Sequence, residues 1–150
     1  MKKIKQLFFF FRINDVPTFK AKLQNDIAGL ITTTTQLLSV DTQPVTAVNL
    51  AFSKPGLDTL GIVDDTGDVL FNVGEEATLS VMGDDSANWV PQFLGQQIHG
   101  VFLLASDVES NIDSELASIQ SIFGSSISEV YSLAGATRPG NEQGHEREAF

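Results

Sequence analysis

The first thirty residues contain one compact apolar run followed by a periodic pattern. Leu7–Ile13 holds four consecutive phenylalanines, which is typical of a buried central strand. Asn14 and Asp15 follow as candidate helix caps, and Pro17 suits a first helical turn. Apolar residues then recur at steps of three and four, and this spacing predicts a helix with one apolar face over residues 16–31.

A loop, a strand and a short helix are predicted after this first strand–helix unit. Thr32–Pro44 is polar and β-branched without a helical period, so we expect a loop. Val48–Phe52 alternates large apolar residues with others and predicts a second strand. A short helix is predicted to begin at Ser53 and to end at Gly61. Residues 62–97 hold several glycines and many acids, and we expect a long, partly ordered surface excursion.

The remaining ordered pattern repeats the strand–helix–strand sequence. His99–Ser106 contains a continuous apolar run and predicts a third strand that is buried on both faces. Asp107 is the candidate cap of a helix whose apolar positions step by three and four until Gly124 ends it. Ile127–Ala134 alternates weakly and predicts a fourth strand.

The order of these elements predicts the fold class. Two strand–helix–strand halves form a split βαβ unit, so we expect an α+β, ferredoxin-like fold with an antiparallel sheet and helices on one face. We expect this domain to occupy residues 1–134 and residues 135–150 to form a tail rich in Gly, Pro and charge. No Gly-rich phosphate loop follows a strand, which disfavours a dinucleotide-binding fold.

Charge and composition exclude several classes of function. The net charge is −10, and residues 64–85 carry seven acids and no base, whereas residues 1–22 are basic. An acidic chain repels phosphate backbones, so we expect no nucleic-acid partner. The absence of cysteine excludes disulfides, thiolate-ligated haem and cysteine zinc sites. We expect no membrane span, since no apolar run reaches about 18 residues, and no signal peptide, and the compartment stays open.

Few residues suggest chemistry by themselves. We expect His99, in a buried strand, to be structural and His145, in the polar tail, to be solvent-exposed. Asp64–Asp68 does not fit a calcium loop, because its sixth position is Val69 where an EF-hand needs glycine. Adjacent acids such as Glu75 and Glu76 are interpreted as solvated loop charges. The residues alone therefore indicate neither an active site nor a metal site.

Three ordered stretches carry a resemblance to a known family. They are Lys2–Asp15; Val48–Ser53 with Gly56-Leu57 and Leu60-Gly61; and Trp89–Pro91 with Ile98–Asp107, Tyr131–Leu133 and Arg138–Glu146. In this order and spacing, over about residues 2–146, they resemble the N-terminal half of fungal dye-decolourising haem peroxidases.

The resemblance implies both an architecture and a reaction. It implies two ferredoxin-like domains, each one half of a dimeric α+β barrel, with one haem b held mainly by the C-terminal domain. It implies hydrogen peroxide as the oxidant and dyes, phenols or manganese as electron donors. In the family, a distal Asp in a Gly-x-x-Asp-Gly motif moves the peroxide proton, a distal Arg stabilises developing charge, and a proximal His ligates the iron.

None of these catalytic groups carries over to this chain. Gly144, His145 and Glu146 match the residues that precede the family motif, but Arg147–Phe150 departs from it and no Asp follows. Arg138 belongs to an Arg-Pro-Gly stretch and is not the distal Arg, and neither histidine is the proximal one. We therefore expect no catalytic, haem-binding or metal-binding residue here and no stable haem binding without the missing C-terminal domain. We also expect the last four residues to be read from an unspliced intron.

Two other classes of function stay open. A lone ferredoxin-like domain can act as a non-catalytic binding or assembly module, which pairs with a partner or forms a homo-oligomer through its exposed sheet face. A cofactor-free oxygenase with the same fold ranks last, because the strands place no acid–base pair inward. Trp89 and Tyr131 are expected to pack rather than to transfer electrons.

Overall fold

One antiparallel sheet organises the chain, whose computed structural model describes residues 4–39, 43–138 and 146–147. Its strands are β1 (Lys5–Ile13), β2 (Thr46–Phe52), β3 (Gly100–Ser106), β4 (Ile127–Thr137) and β5 (Glu146–Arg147). They lie in the order β2-β3-β1-β4-β5. The predicted α+β, ferredoxin-like sheet is confirmed, and the phenylalanine-rich β1 is central in it.

The helices connect the strands and differ greatly in length. They are α1 (Val16–Lys22), α2 (Thr34–Ser39), α3 (Lys54–Thr59), α4 (Val69–Val73), α5 (Leu79–Met82) and α6 (Glu109–Phe123). Single 3-10 turns occur at Glu75–Thr78, Ser86–Asn88, Pro91–Phe93 and Gly124–Ser126. Within the described part of the chain, no helix is both long and apolar enough to span a membrane.

The predicted helix over 16–31 is helical to Leu30 but regular only to Lys22. Asp15 caps it as expected, accepting hydrogen bonds from the Thr18 N–H at 3.3 Å and hydroxyl at 2.8 Å. A π turn over Leu23–Ile27 and a 3-10 turn over Ala28–Leu30 follow. A regular helix would separate residues 19 and 27 by about 80°, and the wider π turn lets both fully buried side chains reach the core.

The core lies between one sheet face and the helices α1 and α6. Its aromatic centre joins Phe11 to Phe102 at 5.3 Å and stacks Phe19 on Phe123 at 4.9 Å between ring centroids. The other buried apolar side chains are Phe9, Ile13, Ile27, Val48, Leu60, Leu104, Ile112, Ile119 and Ile127. The predicted apolar face of α6 is therefore confirmed.

Three expectations about local structure were wrong. Thr32–Pro44 is not all loop, since α2 lies inside it. A capping box forms there: the Gln36 side chain accepts from the Thr33 N–H at 2.8 Å, and the Thr33 hydroxyl accepts from the Gln36 N–H at 3.2 Å. Asp107 does not cap α6, because the helix begins one residue later than such a cap requires, with Val108 at the cap position. β3 is not buried on both faces either: buried and half-buried residues alternate along it.

The fourth strand is longer than predicted, and the excursion over residues 62–97 is more regular than predicted. β4 continues to Thr137, three residues beyond the expected end, because Ala136 pairs with Lys5 of β1 and with Arg147 of β5. The division of the chain near residue 134 stays a prediction. Residues 62–97 form the expected surface excursion, and all of residues 61–70 are exposed, but α4, α5 and three 3-10 turns give the excursion regular local structure.

Candidate functional site

The sheet face opposite α1 and α6 is a candidate surface, and it is called the open face below. Strand side chains alternate between faces, and the strand register aligns the members of the open face. Its large apolar members are Phe8, Phe10, Val101, Leu103, Tyr131 and Leu133. All six are half-buried, unlike the fully buried side chains of the other face.

An aromatic cluster lies on the open face. Phe93, from the excursion, packs edge-on against Phe10 at 5.0 Å and against Tyr131 at 5.5 Å between ring centroids. Phe8 stacks beside Phe10 at 6.5 Å. Tyr131 therefore packs among aromatic rings, as expected. Phe93 was not singled out by sequence reasoning; its place after Pro91 in a short turn carries no periodic signal.

A cleft of about 1010 Å³ lies between the open face and the excursion. Phe10, Ala51 and Val101 contribute its sheet side, and residues 70–77 with Trp89, Val90 and Phe93 contribute its excursion side. Its charged lining residues are Lys54, Asp58, Glu75, Glu76 and Asp84. Periodicity alone could not find this cleft, because an irregular segment folding back over the sheet forms one wall.

The carboxylates around the cleft make local contacts. Asp84 accepts a hydrogen bond from the Trp89 indole N–H at 2.7 Å, and Glu76 accepts one from the Gly95 N–H at 2.9 Å. Lys54 forms an ion pair with Asp58, one helical turn further along α3. Trp89 is thus held by an acid of the excursion and lines the cleft, and its expected packing role stays a prediction.

His99 joins three elements at the entrance of β3. Its Nδ1 accepts a hydrogen bond from the Ile13 N–H at 3.1 Å, and its backbone N–H donates to the Phe11 carbonyl at 2.9 Å. Its carbonyl accepts from the Ser53 N–H at 3.1 Å. Burial lowers the pKa of the His99 imidazole, and the positive charge of Arg12 lowers it further. The prediction of a structural histidine is confirmed.

The glycine of the Ser53–Gly56 stretch is required by this junction. The Ser53 hydroxyl accepts from the Gly56 N–H at 3.1 Å and donates to the Ile98 carbonyl at 2.6 Å, so it caps α3 and anchors the strand entrance. A Cβ built on Gly56 would lie 1.8 Å from the His99 carbonyl oxygen. No side chain fits there without moving the backbone, which gives a physical reason for glycine in this motif.

Gly100 has the same kind of constraint on the core side of β3. A Cβ at Gly100 would lie 2.7 Å from the Phe11 ring and 2.8 Å from the Ala51 carbonyl oxygen. Glycine therefore leaves the room that the Phe11 ring needs beside the strand.

The acidic segment does not assemble a metal site. Asp65 accepts from the Gly67 N–H at 2.9 Å and from the Asn72 amide at 3.0 Å, and these two bonds lower the pKa of its carboxyl. Asp68 instead caps α4 through the Leu70 and Phe71 N–H groups. No group of three potential metal ligands occurs among residues 4–39, 43–138 and 146–147.

The candidate motif at the end of the chain is only partly visible. Gly144 and His145 lie outside the described residues, and Glu146 belongs to β5.

One oxygen of Asp107 is buried with no hydrogen-bond partner among the described residues. This carboxyl lies at the turn from β3 to α6, away from the cleft.

Comparison with known proteins identifies the family. Residues 1–139 match the DyP dimeric alpha+beta barrel domain. All 150 residues match a dye-decolorizing peroxidase of Mycena epipterygia at 57% identity and 28% of its length, and one of Auricularia auricula-judae at 52% identity and 30% of its length.

The solved structures agree with the sequence matches. A crystal structure of a fungal DyP-type peroxidase from Auricularia auricula-judae superimposes with a TM-score of 0.92, at 52% identity, over 97% of this chain and 32% of that one. The chain thus spans about a third or less of the relatives that it matches. It belongs to the dye-decolorizing peroxidase family and corresponds to the N-terminal part of the fungal members.

Proposed function

We propose that this chain supplies the N-terminal part of a haem-dependent peroxidase that reduces hydrogen peroxide and oxidises dyes or phenols. The observation that carries the proposal is the 52–57% identity to dye-decolorizing peroxidases along the whole chain. The chain spans 28–30% of these relatives, so the reaction is proposed for the longer protein and not for these 150 residues alone.

The described residues do not fit a haem site. Among the described residues, His99 is the single histidine. Its Nδ1 already accepts a hydrogen bond from the Ile13 N–H, and only 7% of the residue is exposed. An axial ligand needs a ring nitrogen aimed into a cavity large enough for the macrocycle. The cleft instead presents carboxylates and one paired lysine. We therefore assign haem, the distal Asp and Arg and the proximal His to the part of the peroxidase that lies outside this chain.

The open face supports a role as one half of a larger core. Its six large apolar side chains are half-buried. Packing of such a face against a second sheet would remove apolar surface from water, and this stabilises the assembly by roughly 25 cal/mol for each Å² buried. A sheet covered by helices on one side needs a partner on the other when both faces are apolar. We propose that the C-terminal peroxidase domain is this partner and packs on the part of the open face that does not line the cleft, which includes Phe8, Leu103 and Leu133.

A reconstitution experiment tests the proposal. The chain is titrated with haemin, then mixed with hydrogen peroxide and a dye, first alone and then after co-refolding with the remaining part of the Auricularia relative. We expect no sharp Soret band and no bleaching with the chain alone, and both signals after co-refolding. Stoichiometric haem uptake with dye bleaching by the chain alone contradicts the proposal, and so does failure of the co-refolded pair.

Two variants with the same added charge make the experiment specific to the open face. Leu103→Glu places a carboxylate opposite Phe8 on the open face, whereas Ala117→Glu places one on the exposed side of α6. We expect the first variant to abolish reconstitution and the second to keep it, because a buried unpaired charge is strongly unfavourable. Equal behaviour of the two variants would remove the open face from the proposal.

A non-catalytic assembly module is the second candidate, and the same apolar face favours it. In that case two copies of the chain pair through their open faces without haem. Sedimentation of the chain alone distinguishes the two: a stable dimer that Leu103→Glu dissociates and Ala117→Glu does not supports the module.

A further inference from the structure

We propose that the cleft between the open face and the excursion binds aromatic cations that combine a flat apolar body with a positive group. This inference does not rest on the peroxidase proposal, since it concerns binding by the chain without haem or peroxide. It rests on the size of the cleft, its aromatic walls and the sign of its charge.

The size and lining of the cleft suit a small organic molecule. Its volume of about 1010 Å³ lies at the upper end of the range for ligand pockets, roughly 300–1,000 Å³. Apolar side chains from the sheet and from the excursion line opposite walls, and Phe93 extends the wall onto the open face through Phe10. A planar molecule can therefore lie between two apolar surfaces that belong to different elements.

The aromatic residues in the walls favour a cation. Trp89, Phe71 and Phe93 line the excursion side, and Phe10 lines the sheet side. The face of an aromatic ring carries partial negative charge and attracts ammonium groups, with tryptophan the strongest. The Asp84 carboxylate accepts a hydrogen bond from the Trp89 indole N–H. This bond fixes the orientation of the indole, and the carboxylate adds negative charge beside it.

The charged residues of the cleft point to the same sign. Four carboxylates line it against one ammonium, and that ammonium, on Lys54, is already paired with Asp58. Glu76 and Asp84 each accept one hydrogen bond from an uncharged N–H group, and such a bond does not neutralise the negative charge of the carboxylate. The Glu75 carboxylate makes no hydrogen bond or ion pair within the described residues. The negative charge of the cleft therefore attracts a cation and repels an anion of the same shape.

Binding of two matched probes tests the inference. Methylene blue is the planar aromatic cation, and anthraquinone-2-sulfonate is a planar aromatic anion of similar size. Calorimetry gives the affinities, and fluorescence of Trp89, the single tryptophan of the chain, reports occupation of the cleft. We expect the cation to bind at least tenfold more tightly than the anion and to quench Trp89, with weaker binding at higher salt. Equal affinities, or tighter binding of the anion, overturn the inference.

Two charge variants separate the cleft from the overall negative charge. E75Q/E76Q removes two charges in the cleft, and the amide introduced by E76Q keeps an oxygen acceptor for the Gly95 N–H. D113N/E115Q removes two charges on α6, which packs against the other sheet face. We expect the first pair of substitutions to weaken the binding of methylene blue about threefold to tenfold. The second pair should change its affinity less than twofold. Equal losses in both variants, with unchanged thermal unfolding, would mean binding to the general surface charge and overturn the inference.

Discussion

The two faces of one sheet contain similar residues and have different surroundings. The face toward α1 and α6 holds Phe9, Phe11 and Phe102, all at most 1% exposed. The open face holds Phe8, Phe10 and Leu103, equally apolar and only half-buried. The difference lies in what covers each face, since two helices seal the first and parts of the excursion cover the second. Apolar character along a strand therefore indicates where a partner surface can pack, and the rest of the chain decides whether one is present.

Substitution of neighbouring β3 residues gives the largest expected contrast. Phe102→Ala removes a fully buried ring from the core and should lower the free energy of unfolding by about 3–5 kcal/mol. Leu103→Ala changes the open face and should cost about 1 kcal/mol, because its side chain is already partly exposed. Urea unfolding followed by circular dichroism measures both. Equal losses would mean that the open face is as well packed as the core.

Gly56→Ala should give the next largest effect. The new Cβ would meet the His99 carbonyl oxygen at 1.8 Å, so the backbone where α3 meets β3 must shift, at a cost of about 3 kcal/mol. Gly29→Ala is the matched control, since nothing lies within 4 Å of its Cβ position. We expect that control to be neutral or slightly stabilising. A tolerated Gly56→Ala would show that this junction is not closely packed.

His99 offers a smaller effect with a distinct pH signature. Its pKa is lowered in the folded chain, so protonation favours the unfolded state. The contribution of His99 to the free energy of unfolding is therefore largest above its unfolded pKa of about 6.5, and it falls as the pH drops below that value. His99→Asn keeps an oxygen for the Ile13 N–H and should remove this pH dependence.

His99→Leu completes the test of that residue. It leaves the Ile13 N–H without its acceptor and should cost about 1–3 kcal/mol at pH 7. Thermal unfolding of the three proteins between pH 5 and pH 8 gives both quantities. An unchanged pH profile in His99→Asn would assign the dependence to other groups.

Much of the fold could be predicted from local patterns. The phenylalanine run of β1, the apolar steps of α6, the Asp15 cap and the start of α3 near Ser53 depend on neighbours in sequence, and the structure agrees with each. The capping box at Thr33 and Gln36 was also present in the sequence and could have revealed α2. Asp107 shows the limit of such signals, because a suitable residue type one position from the helix start does not cap it.

The candidate site was much less predictable than the fold. Phe93, Glu76 and Lys54 come from three separated segments, and only the return of the excursion over the sheet brings them to one cleft. His99 was predicted to be structural, but its contacts with Ile13, 86 residues earlier, depend on the register of β1 with β3. Residue spacing carries no information about contacts of this range.

The sequence by itself determined the alternation of strands and helices, the Asp15 cap and the family resemblance, because each depends on residue types at short spacing. The expectation that this stretch holds no catalytic residue stays a prediction. Only the tertiary structure decided which face of the apolar β3 is sealed, that Gly56 must lack a side chain, and that carboxylates and aromatic rings meet around one cleft. These features depend on strand register and on the path of an irregular segment, and both are set by packing between residues far apart in the chain.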